Sequence, residues 1–393
     1  MAGASASALV VIWGMEYGNV VMKRILSIDV FRGFDMLFIM GFSIFVTKFC
    51  AACGWGADCW LSRQMHHVEW DGLHVYDLVY PTFLFIAGMS FPFSRASQET
   101  KGKTAGAIAR RVVVRALKLV GLGLLYVGIL KTKDYSAMAY TSVLGRIGLA
   151  WGFAALLALA VRNWRPRVLL LAGVLIGYAL LCRFVGAPDH PEASPLSMEG
   201  SLAGWIDRMV LPGALRYDGI FEPEGLLPII SATVTASFGI LAGEILRSRE
   251  GVQDVRKTRA LIAFAAVLLA AGAAFSLLVP VNKALWSSSF ACVAGGCSLG
   301  AYAVFHWIID VKGWTGWTFF FKVIGVNAIV VYMLGPMFYY EPGGLGNVTR
   351  FFLGALCSHV PAAIGEAIFQ LGYVLVNWLV LLFLYRKNVF LKV

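Results

Sequence analysis

Long apolar runs, separated by short polar connections, are the dominant pattern along this chain. A transmembrane helix needs about 20 consecutive residues of mainly apolar character. Within each run the apolar positions are continuous rather than alternating, which disfavours a membrane β-barrel. The pattern therefore predicts an all-α, polytopic transmembrane helix bundle of about ten helices, at 34–52, 77–94, 112–130, 140–161, 168–186, 225–246, 260–279, 286–309, 318–337 and 362–385.

Composition supports the same class. Hydrophobic residues make up 59% of the 393 positions and charged residues only 14%, with a mean hydropathy of +0.75. Such values exclude an ordinary soluble domain. The sequence shows no internal repeat and no low-complexity linker. We therefore expect one transmembrane domain at 25–393, preceded at 1–24 by an N-terminal extension that need not be ordered.

The net charge of +11 is distributed unevenly among the connections. With the N-terminus inside, the inner connections hold most of the Lys and Arg residues, including a dense cluster at 95–118. This bias predicts that both termini are cytoplasmic. Because the basic residues are split among separate short loops, a nucleic-acid surface is disfavoured. Two long connections, at about 53–76 and 187–224, then lie on the non-cytoplasmic side.

The segment from residue 67 to residue 88 places ionisable groups directly before an apolar run. These groups are His67, Glu69, Asp71 and Asp77. They are costly to dehydrate and usually have a function in such a position. A histidine can also transfer protons near neutral pH. Two interpretations are open: a site for acyl transfer or proton coupling, and an interfacial loop whose polar residues simply face water.

Arg146 is a second polar signal, because it lies roughly 9 Å along the fourth predicted helix at 1.5 Å per residue. A buried arginine needs a partner, and Asp77 or Glu224 at the same level of the bilayer could supply it. The alternative is an arginine that snorkels to the interface. Asn282 and Lys283 lie at a helix junction on the same side of the predicted bundle.

The inner start of the first predicted helix carries Asp29, Arg32 and Asp35. These residues either form a local charge pair that orients the helix or contact a ligand. We consider both interpretations open.

Three of the seven cysteines, Cys50, Cys53 and Cys59, cluster shortly before His67. One disulfide among them is an option if the compartment is oxidising. A metal site is not expected, since the spacing of Cys and His fits no common zinc pattern.

Six motifs in register resemble those of a known family. They are Ser27-Ile-Asp-Val-Phe-Arg-Gly-Phe, His67-Val-Glu-Trp-Asp-Gly-Leu, Asp77-Leu-Val-Tyr-Pro-Thr-Phe-Leu-Phe-Ile-Ala-Gly, Leu144-Gly-Arg-Ile-Gly, Asp218 to Leu227, and Asn282-Lys-Ala-Leu-Trp-Ser-Ser-Ser-Phe. Together they resemble the heparan-α-glucosaminide N-acetyltransferase family of transmembrane acyltransferases and its bacterial relatives. The similarity runs from about residue 25 to the C-terminus.

The resemblance implies acetyl-CoA as the co-substrate, bound from the cytosolic side, and an amino sugar or glycan as the acceptor on the far side of the bilayer. The family's catalytic histidine lies in a His-x-x-Trp-x-Gly motif, which here begins at His67 and includes Trp70. His67 would act as a base or as a nucleophile, oriented by Asp71 or Glu69. A multi-pass protein of the bacterial cytoplasmic membrane without a metal is implied, and a homodimer is compatible with it.

Binding roles follow from the same resemblance. For the acceptor we expect Trp70, Asp77, Arg146, Glu224, Asn282 and Lys283, with Arg146 as a candidate donor to the reacting carbonyl oxygen. CoA phosphates require cations. For the cofactor we therefore expect Asp29, Arg32, Asp35, Arg95, Arg111 and Arg115. Plain membrane topology is the alternative explanation of that basic cluster.

One departure from the family pattern concerns the acceptor. Lysosomal members carry an asparagine shortly before the catalytic histidine, and residues 34–66 contain none here. Asp35, Ser43 or Thr47 could take its place. The departure bears on a heparan-like acceptor more than on acyl transfer itself.

Two other functions stay open at this level. One is a transporter of sugars or glycan fragments, in which His67, Asp77 and Arg146 form a proton or substrate relay. Such transporters usually have two related halves, and the sequence shows no repeat of that kind. The other is O-acylation of a polysaccharide.

Overall fold

The computed structural model describes residues 14–17, 20–23, 25–56, 58–130, 132–247, 255–339 and 344–391. Strand β1 (Gly14–Tyr17) pairs antiparallel with β2 (Val20–Lys23). The α-helices are α1 (Leu26–Leu37), α2 (Ser43–Ala52), α3 (Trp60–Arg63), α4 (Val79–Thr100), α5 (Ala105–Tyr126), α6 (Val143–Ala160), α7 (Trp164–Phe184), α8 (Leu202–Val210), α9 (Ile229–Arg247), α10 (Val255–Ser276), α11 (Ser288–His306), α12 (Thr318–Val326), α13 (Ala328–Tyr339), α14 (Leu345–Ser358) and α15 (Ala362–Arg386).

Helices long and apolar enough to cross a bilayer confirm the predicted all-α membrane bundle. Among the described residues seven segments meet that description: Leu26–Ala52, Val143–Ala160, Trp164–Phe184, Ile229–Arg247, Val255–Ser276, Ser288–Val311 and Ala362–Arg386. Helices α4 and α5 have 22 residues each, but the C-terminal turns of α4 and the N-terminal part of α5 carry the charged residues of the 95–118 cluster. With α12 and α13, which follow one another in the ninth apolar run, the bundle agrees with about ten crossings.

The ninth apolar run is interrupted at Asn327, which ends α12 with non-helical torsions. The side chain is fully buried, donates from Nδ2 to Val389 O at 3.2 Å and accepts from Leu391 N at 3.3 Å. The amide therefore satisfies backbone groups of the C-terminal segment inside the bundle. A polar group can interrupt a membrane helix where such partners replace water.

The first crossing bends in a π-helical segment, Phe38–Phe42, between α1 and α2. Gly41 there has a φ of +116°, and Gln370 Nε2 donates to its carbonyl at 3.3 Å. A Cβ at Gly41 would lie 2.8 Å from that amide nitrogen. Glycine is thus required twice, for the left-handed torsion and for the close approach of α15.

Helix α4 is held against α9 by glycines that let the backbones touch. A Cβ on Gly88 would overlap the carbonyl oxygen of Ala236, and one on Gly239 would overlap that of Phe85. Small residues allow such approach in membranes, where van der Waals packing replaces the hydrophobic effect between helices. This contact fixes the position of α4, whose outer end carries the charged groups described below.

Helix α14 packs along the outer half of α15. A Cβ on Gly372 of α15 would touch Leu353 and Thr349, and one on Gly365 would meet the backbone of Cys357. The later residue of α15 thus contacts the earlier residues of α14, which shows that the two helices run antiparallel. Together they form one wall of the cavity described next.

Candidate active site

The loop that carries His67 is folded by its own backbone. It leaves the short helix α3 and returns to it, since Tyr76 N donates to Gln64 O at 3.0 Å and Val75 N donates to Gln64 Oε1 at 3.1 Å. It ends in a 3₁₀ turn, Val75–Leu78, that leads directly into α4. These contacts hold the loop on the end of the bundle instead of leaving it free in solvent.

Asp77 lies within this 3₁₀ turn and is fully buried. Its Oδ1 is 2.7 Å from His67 Nδ1, while its Oδ2 accepts from His74 N at 3.1 Å and from Val68 N at 3.3 Å. The side chain of His67 is half exposed, and its ring lies against that of Tyr76 with centroids 4.7 Å apart. Asp77 therefore fixes the ring through one nitrogen and leaves Nε2 uncommitted to it.

Lys283 completes this group from the connection between α10 and α11. Its Nζ lies 3.2 Å from Asp77 Oδ1 and 2.9 Å from His67 Nδ1. Burial acts to raise the pKa of Asp77, but the His67 hydrogen bond and the Lys283 charge outweigh it and hold that pKa at about 2. Burial lowers the pKa of Lys283, an effect that Asp77 opposes. The carboxylate is thus ionised at neutral pH and is an acceptor for Nδ1–H in the tautomer that carries its proton there.

The carboxylate in contact with the His67 ring is Asp77, whereas the sequence analysis named Asp71 and Glu69 as candidates to orient that ring. Glu69 is exposed and has no contact with the His67 ring among the described residues. Asp71 instead accepts from Asn282 Nδ2 at 3.0 Å. The reason is the 3₁₀ turn, which brings Asp77 back under His67, whereas Asp71 points toward the next connection.

Asp71 and Asn282 join the His67 loop to the segment that carries Lys283. The two residues form an isolated antiparallel bridge, and Gly72 N donates to Val281 O at 2.8 Å. Asn282 Oδ1 also accepts from Leu285 N at 2.8 Å. This docking places Lys283, the next residue, against His67.

Trp70 anchors the other side of the loop. Its Nε1 donates to Leu196 O at 2.9 Å, and its ring meets that of Phe221 edge-on with centroids 5.2 Å apart. Both partners belong to the long connection between α7 and α9. Trp70 therefore positions the His67 loop against that connection.

A cavity of about 1060 Å³ opens beside His67. Its lining brings His67 together with Glu224 and Lys283, and it includes an aromatic group of Tyr76, Tyr80, Tyr126 and Tyr332. The opposite wall consists of residues from the first crossing, α14 and α15. Four predicted acceptor residues do not line the cavity and lie behind its wall: Trp70, Asp77, Arg146 and Asn282.

Arg146 is buried, but its hydrogen bonds go to the backbone. Its Nη2 donates to Pro223 O at 2.6 Å and to Gly225 O at 3.3 Å, and its guanidinium lies 5.5 Å from the Trp286 ring centroid. The predicted hydrogen-bonded ion pair with Asp77 or Glu224 is thus replaced by two carbonyls that flank Glu224. The segment 222–228 lies against the start of α6, and its backbone carbonyls, rather than a carboxylate, accept the hydrogen bonds of Arg146.

Glu224 is held by cations at the cavity wall. It forms an ion pair with Arg216, which also pairs with Glu222 at 3.1 Å. Burial raises the pKa of Glu224, while the charges of Arg146 and Arg216 oppose that rise. Glu224 is therefore a cavity carboxyl whose charge depends on its neighbours.

The residues predicted for the cofactor lie elsewhere, around the C-terminal half of α4. Arg32 pairs with Asp29 at 3.3 Å and donates to Ser90 Oγ at 3.0 Å. Ser90 is eleven residues beyond Val79, roughly 17 Å along α4 at 1.5 Å per residue. The predicted site residues thus form two groups, one around His67 at the start of α4 and one around Arg32 near Ser90, about one half of that helix apart.

The inner group has a clear cationic centre. Arg32, Arg111 and Arg115 are close enough for their charges to interact. Arg111 donates to Gln98 Oε1 at 3.4 Å, and the guanidinium of Arg115 lies 4.4 Å from the Trp151 ring centroid.

Two more of the predicted cofactor residues, Arg95 and Asp35, add no free positive charge to this centre. Arg95 is engaged with Glu99 at 2.8 Å and with Ala158 O at 3.4 Å. Asp35 is buried, and its Oδ2 has no hydrogen-bond partner in the described part of the chain.

Three polar residues were candidates to replace the asparagine of the lysosomal proteins. Ser43 donates to Phe38 O and Thr47 donates to Ser43 O, each at 3.2 Å. The Ser43 side chain also lies near the hydroxyl of Tyr76, and its proximity lowers the pKa of that phenol against the rise caused by burial. Ser43 is therefore the candidate that connects with His67, through the ring of Tyr76.

The tyrosines of the cavity were not singled out from the sequence. Tyr126 and Tyr332 come from α5 and α13, and their ring centroids are 4.7 Å apart. Tyrosines inside apolar runs were the available signal, since a buried hydroxyl needs a polar environment. Across the described ranges, no group of three or more His, Cys, Asp or Glu side chains is arranged to hold a metal ion.

Known proteins provide the remaining evidence. No protein-family model matches the chain. It is 26% identical over 366 residues to the heparan-alpha-glucosaminide N-acetyltransferase of Homo sapiens and 24% identical over 369 residues to that of Mus musculus. Each comparison covers 79% of this chain, which spans about half the length of these curated relatives, 52% and 53% respectively. With the six motifs and the helical membrane fold, this similarity supports a distant relationship between the chain and the heparan-alpha-glucosaminide N-acetyltransferases.

Proposed function

We propose that the protein is a membrane N-acetyltransferase that moves an acetyl group from acetyl-CoA to the amine of an amino sugar or glycan. The observation that carries this proposal is the His67–Asp77–Lys283 group at the wall of the cavity. A half-exposed histidine that is fixed by a buried, ionised carboxylate is the arrangement that general-base catalysis requires. The relatives are named as N-acetyltransferases, which supports the same chemistry.

His67 Nε2 is the proposed base. The amine nitrogen attacks the thioester carbonyl, the C–S bond breaks, and the proton from nitrogen passes through Nε2 to the departing CoA thiolate. A route through a transient acetyl-imidazole uses the same nitrogen as nucleophile. In both routes Asp77 keeps the proton on Nδ1.

Lys283 is the proposed donor to the carbonyl oxygen, a role first considered for Arg146. Lys283 lines the cavity beside His67, whereas Arg146 is engaged with backbone carbonyls outside the lining. A fixed cation next to the position where negative charge develops lowers the barrier of acyl transfer.

CoA is proposed to bind with its phosphates at Arg32, Arg111 and Arg115. The cationic centre of these residues fits phosphate oxygens, and the extended arm of CoA fits the separation between this centre and His67. Acetyl-CoA would then approach from the inner side and the acceptor from the outer side. We place the termini and the inner cluster in the cytoplasm of a bacterial cell, from the charge bias along the chain.

The test is acetyl-CoA turnover by purified protein with a panel of amino sugars, measured as released CoA. His67→Ala is expected to lower the rate by about 10²–10⁴, while acetyl-CoA affinity stays within a few-fold. His66→Ala is the matched control, because His66 is the exposed neighbour in the same loop. Full activity of His67→Ala would remove His67 from the mechanism.

The same assay separates the enzyme from a transporter. In detergent there is no sealed compartment, so a transporter would bind sugar without releasing CoA. Acceptor-dependent CoA release therefore supports the transferase, and sugar binding without release supports the transporter.

Orientation needs its own experiment. A cysteine placed at Glu192, an exposed position in the long outer connection, should react with an impermeant thiol reagent in intact cells. One placed at Arg165, exposed in the first turn of α7 at the proposed inner side, should react only after permeabilisation. The opposite pattern would reverse the proposed direction of transfer.

A further inference from the structure

Asp207 is a fully buried carboxylate that the proposed acyl transfer does not use. It belongs to α8, in the long connection between α7 and α9. Its Oδ1 accepts from Leu226 N at 2.9 Å, while its Oδ2 has no hydrogen-bond partner within the described ranges. Such a group is costly to bury, and the hydrogen bond that it does form goes to the segment that carries Glu224.

The chain just after Glu224 is packed directly on this carboxylate. Gly225 leaves room for it, since a Cβ on Gly225 would overlap Asp207 Oδ2. The next residue, Leu226, donates its backbone N–H to Oδ1. Asp207 thus contacts two consecutive residues, and these contacts fix both the distance and the direction at which the segment passes α8.

Helix α8 is itself held in place by the residue after Asp207. Arg208 donates from Nε and Nη2 to the two carboxylate oxygens of Asp189, each at 2.8 Å. Its Nη1 donates to Ile220 O at 2.7 Å. A bidentate pair of arginine and carboxylate is geometrically specific. Asp207 therefore acts from a helix whose position is set by contacts of its own.

Glu224 is the residue that this support places at the reaction cavity. Of residues 222–228, it alone lines the cavity. Arg146 donates to the two backbone carbonyls that flank it, and Arg216 pairs with its carboxylate. Asp207 adds the contact to the backbone N–H two residues further along. Without that contact the segment is free to shift, and the Glu224 carboxylate shifts with it relative to the proposed base.

We propose that Asp207 is a positioning residue for acceptor binding: by holding Gly225 and Leu226 it places the Glu224 carboxylate where it meets the amine of the acceptor. This inference rests on the proposed function. Asp207 touches neither substrate, because it is fully buried and does not line the cavity. A displaced carboxylate binds the amine less well before and during the reaction alike, so the effect falls on acceptor affinity rather than on the chemical step.

The test measures CoA release with glucosamine as the acceptor, together with direct titration of acetyl-CoA. Asp207→Ala should raise the KM for glucosamine about tenfold and leave kcat and acetyl-CoA affinity within a few-fold. Asp207→Asn should restore the parent KM, because its amide oxygen can still accept from Leu226 N. Equal KM values for the parent and Asp207→Ala would overturn the proposal, and so would a loss confined to kcat.

Coupling to Glu224 separates positioning from a general structural effect. In a Glu224→Gln background the carboxylate is already absent, so Asp207→Ala should change the KM for glucosamine by less than about twofold. Effects that multiply independently in the double variant would contradict the proposal. Glu192→Ala is the matched control, because Glu192 is an exposed carboxylate in the same connection, and it should keep the parent KM in both backgrounds.

A second variant disturbs the same contact from the other side. In Gly225→Ala the new Cβ pushes the segment away from Asp207 Oδ2, so the KM for glucosamine should rise as in Asp207→Ala. A folded Gly225→Ala protein with the parent KM would overturn the proposal even if Asp207→Ala did not fold. Absence of CoA release by the parent protein would defeat the proposed function and this inference with it, whereas an active parent and unchanged KM values in the variants would defeat this inference alone.

Discussion

Replacing Asp77 with asparagine tests the catalytic arrangement at its most specific point. Asp77 Oδ2 accepts from His74 N and Val68 N, while Oδ1 faces His67 Nδ1 at 2.7 Å. In Asp77→Asn the amide oxygen must keep the two backbone donors, so the amide NH₂ faces Nδ1. That nitrogen then becomes an acceptor, and the ring proton moves to Nε2.

The expected loss follows from this change of tautomer. With the proton on Nε2, no lone pair faces the cavity, and the rate should fall by about 10²–10⁴, the range that general-base catalysis contributes. A second effect concerns stability. At 3.2 Å the attraction between Lys283 and Asp77 is about 5 kcal/mol for an effective dielectric constant of about 20. Loss of this pairing should lower the melting temperature, because removing one partner leaves a buried charge uncompensated.

Single-turnover release of CoA, together with direct titration of acetyl-CoA, separates catalysis from folding and binding. Asp77→Asn should bind acetyl-CoA within a few-fold of the parent and still turn over slowly. Glu69→Gln is the matched control: it makes the same chemical change in the same loop, at an exposed carboxylate away from the ring, and should retain activity. A folded Asp77→Asn protein with the parent rate would refute the orienting role of Asp77.

Three further predictions address other parts of the molecule. Arg146→Ala leaves two buried carbonyls without their donor and should cost about 2–6 kcal/mol, seen as a lower melting temperature in detergent; an unchanged value would indicate an arginine that reaches the interface. Arg111→Ala should weaken acetyl-CoA binding at least several-fold, with the exposed inner Arg165→Ala as the silent control; equal affinities would move the phosphates elsewhere. Burial raises the pKa of Asp207 from 3.8 to about 6. Between these two pH values the folded state therefore binds more protons than the unfolded state, and the free energy of unfolding falls as pH rises. Asp207→Asn should melt at a higher temperature than the parent at pH 7.5 and lose that advantage near pH 4, whereas a difference that does not change with pH would contradict the raised pKa.

The sequence predicted the all-α membrane bundle because continuous apolar character is a local property. It also named His67 as a candidate, which stays a prediction, and it indicated that Arg146 is a buried cation. It could not predict the break at Asn327, because one polar residue in a long apolar run does not show whether backbone partners are near. Those partners come from residues 389 and 391, more than sixty positions away.

The sequence could not predict which loop carboxylate contacts His67, for a different reason. Asp71 is nearer to His67 along the chain, but the 3₁₀ turn gives Asp77 the contact. That turn depends on its capping by His74, and the partner of Asp71 lies 211 residues further along the chain. Spacing alone cannot decide between carboxylates whose directions are set by such distant contacts.

The position of Ser43 bears on how the chain differs from its lysosomal relatives. An asparagine near the histidine would offer both a donor and an acceptor to a substrate, whereas the hydroxyl of Ser43 donates to Phe38 O and lies near the hydroxyl of Tyr76. Ser43 therefore acts on the ring that lies against His67 rather than on the acceptor. Recognition of the acceptor then falls to the groups that do line the cavity, among them Glu224, Tyr126 and Tyr332. Under the proposed function, this carboxyl and these phenol hydroxyls would bind the amine and hydroxyl groups of an amino sugar, while the cations Lys48, Lys283 and Arg350 of the same lining would bind its acceptor groups.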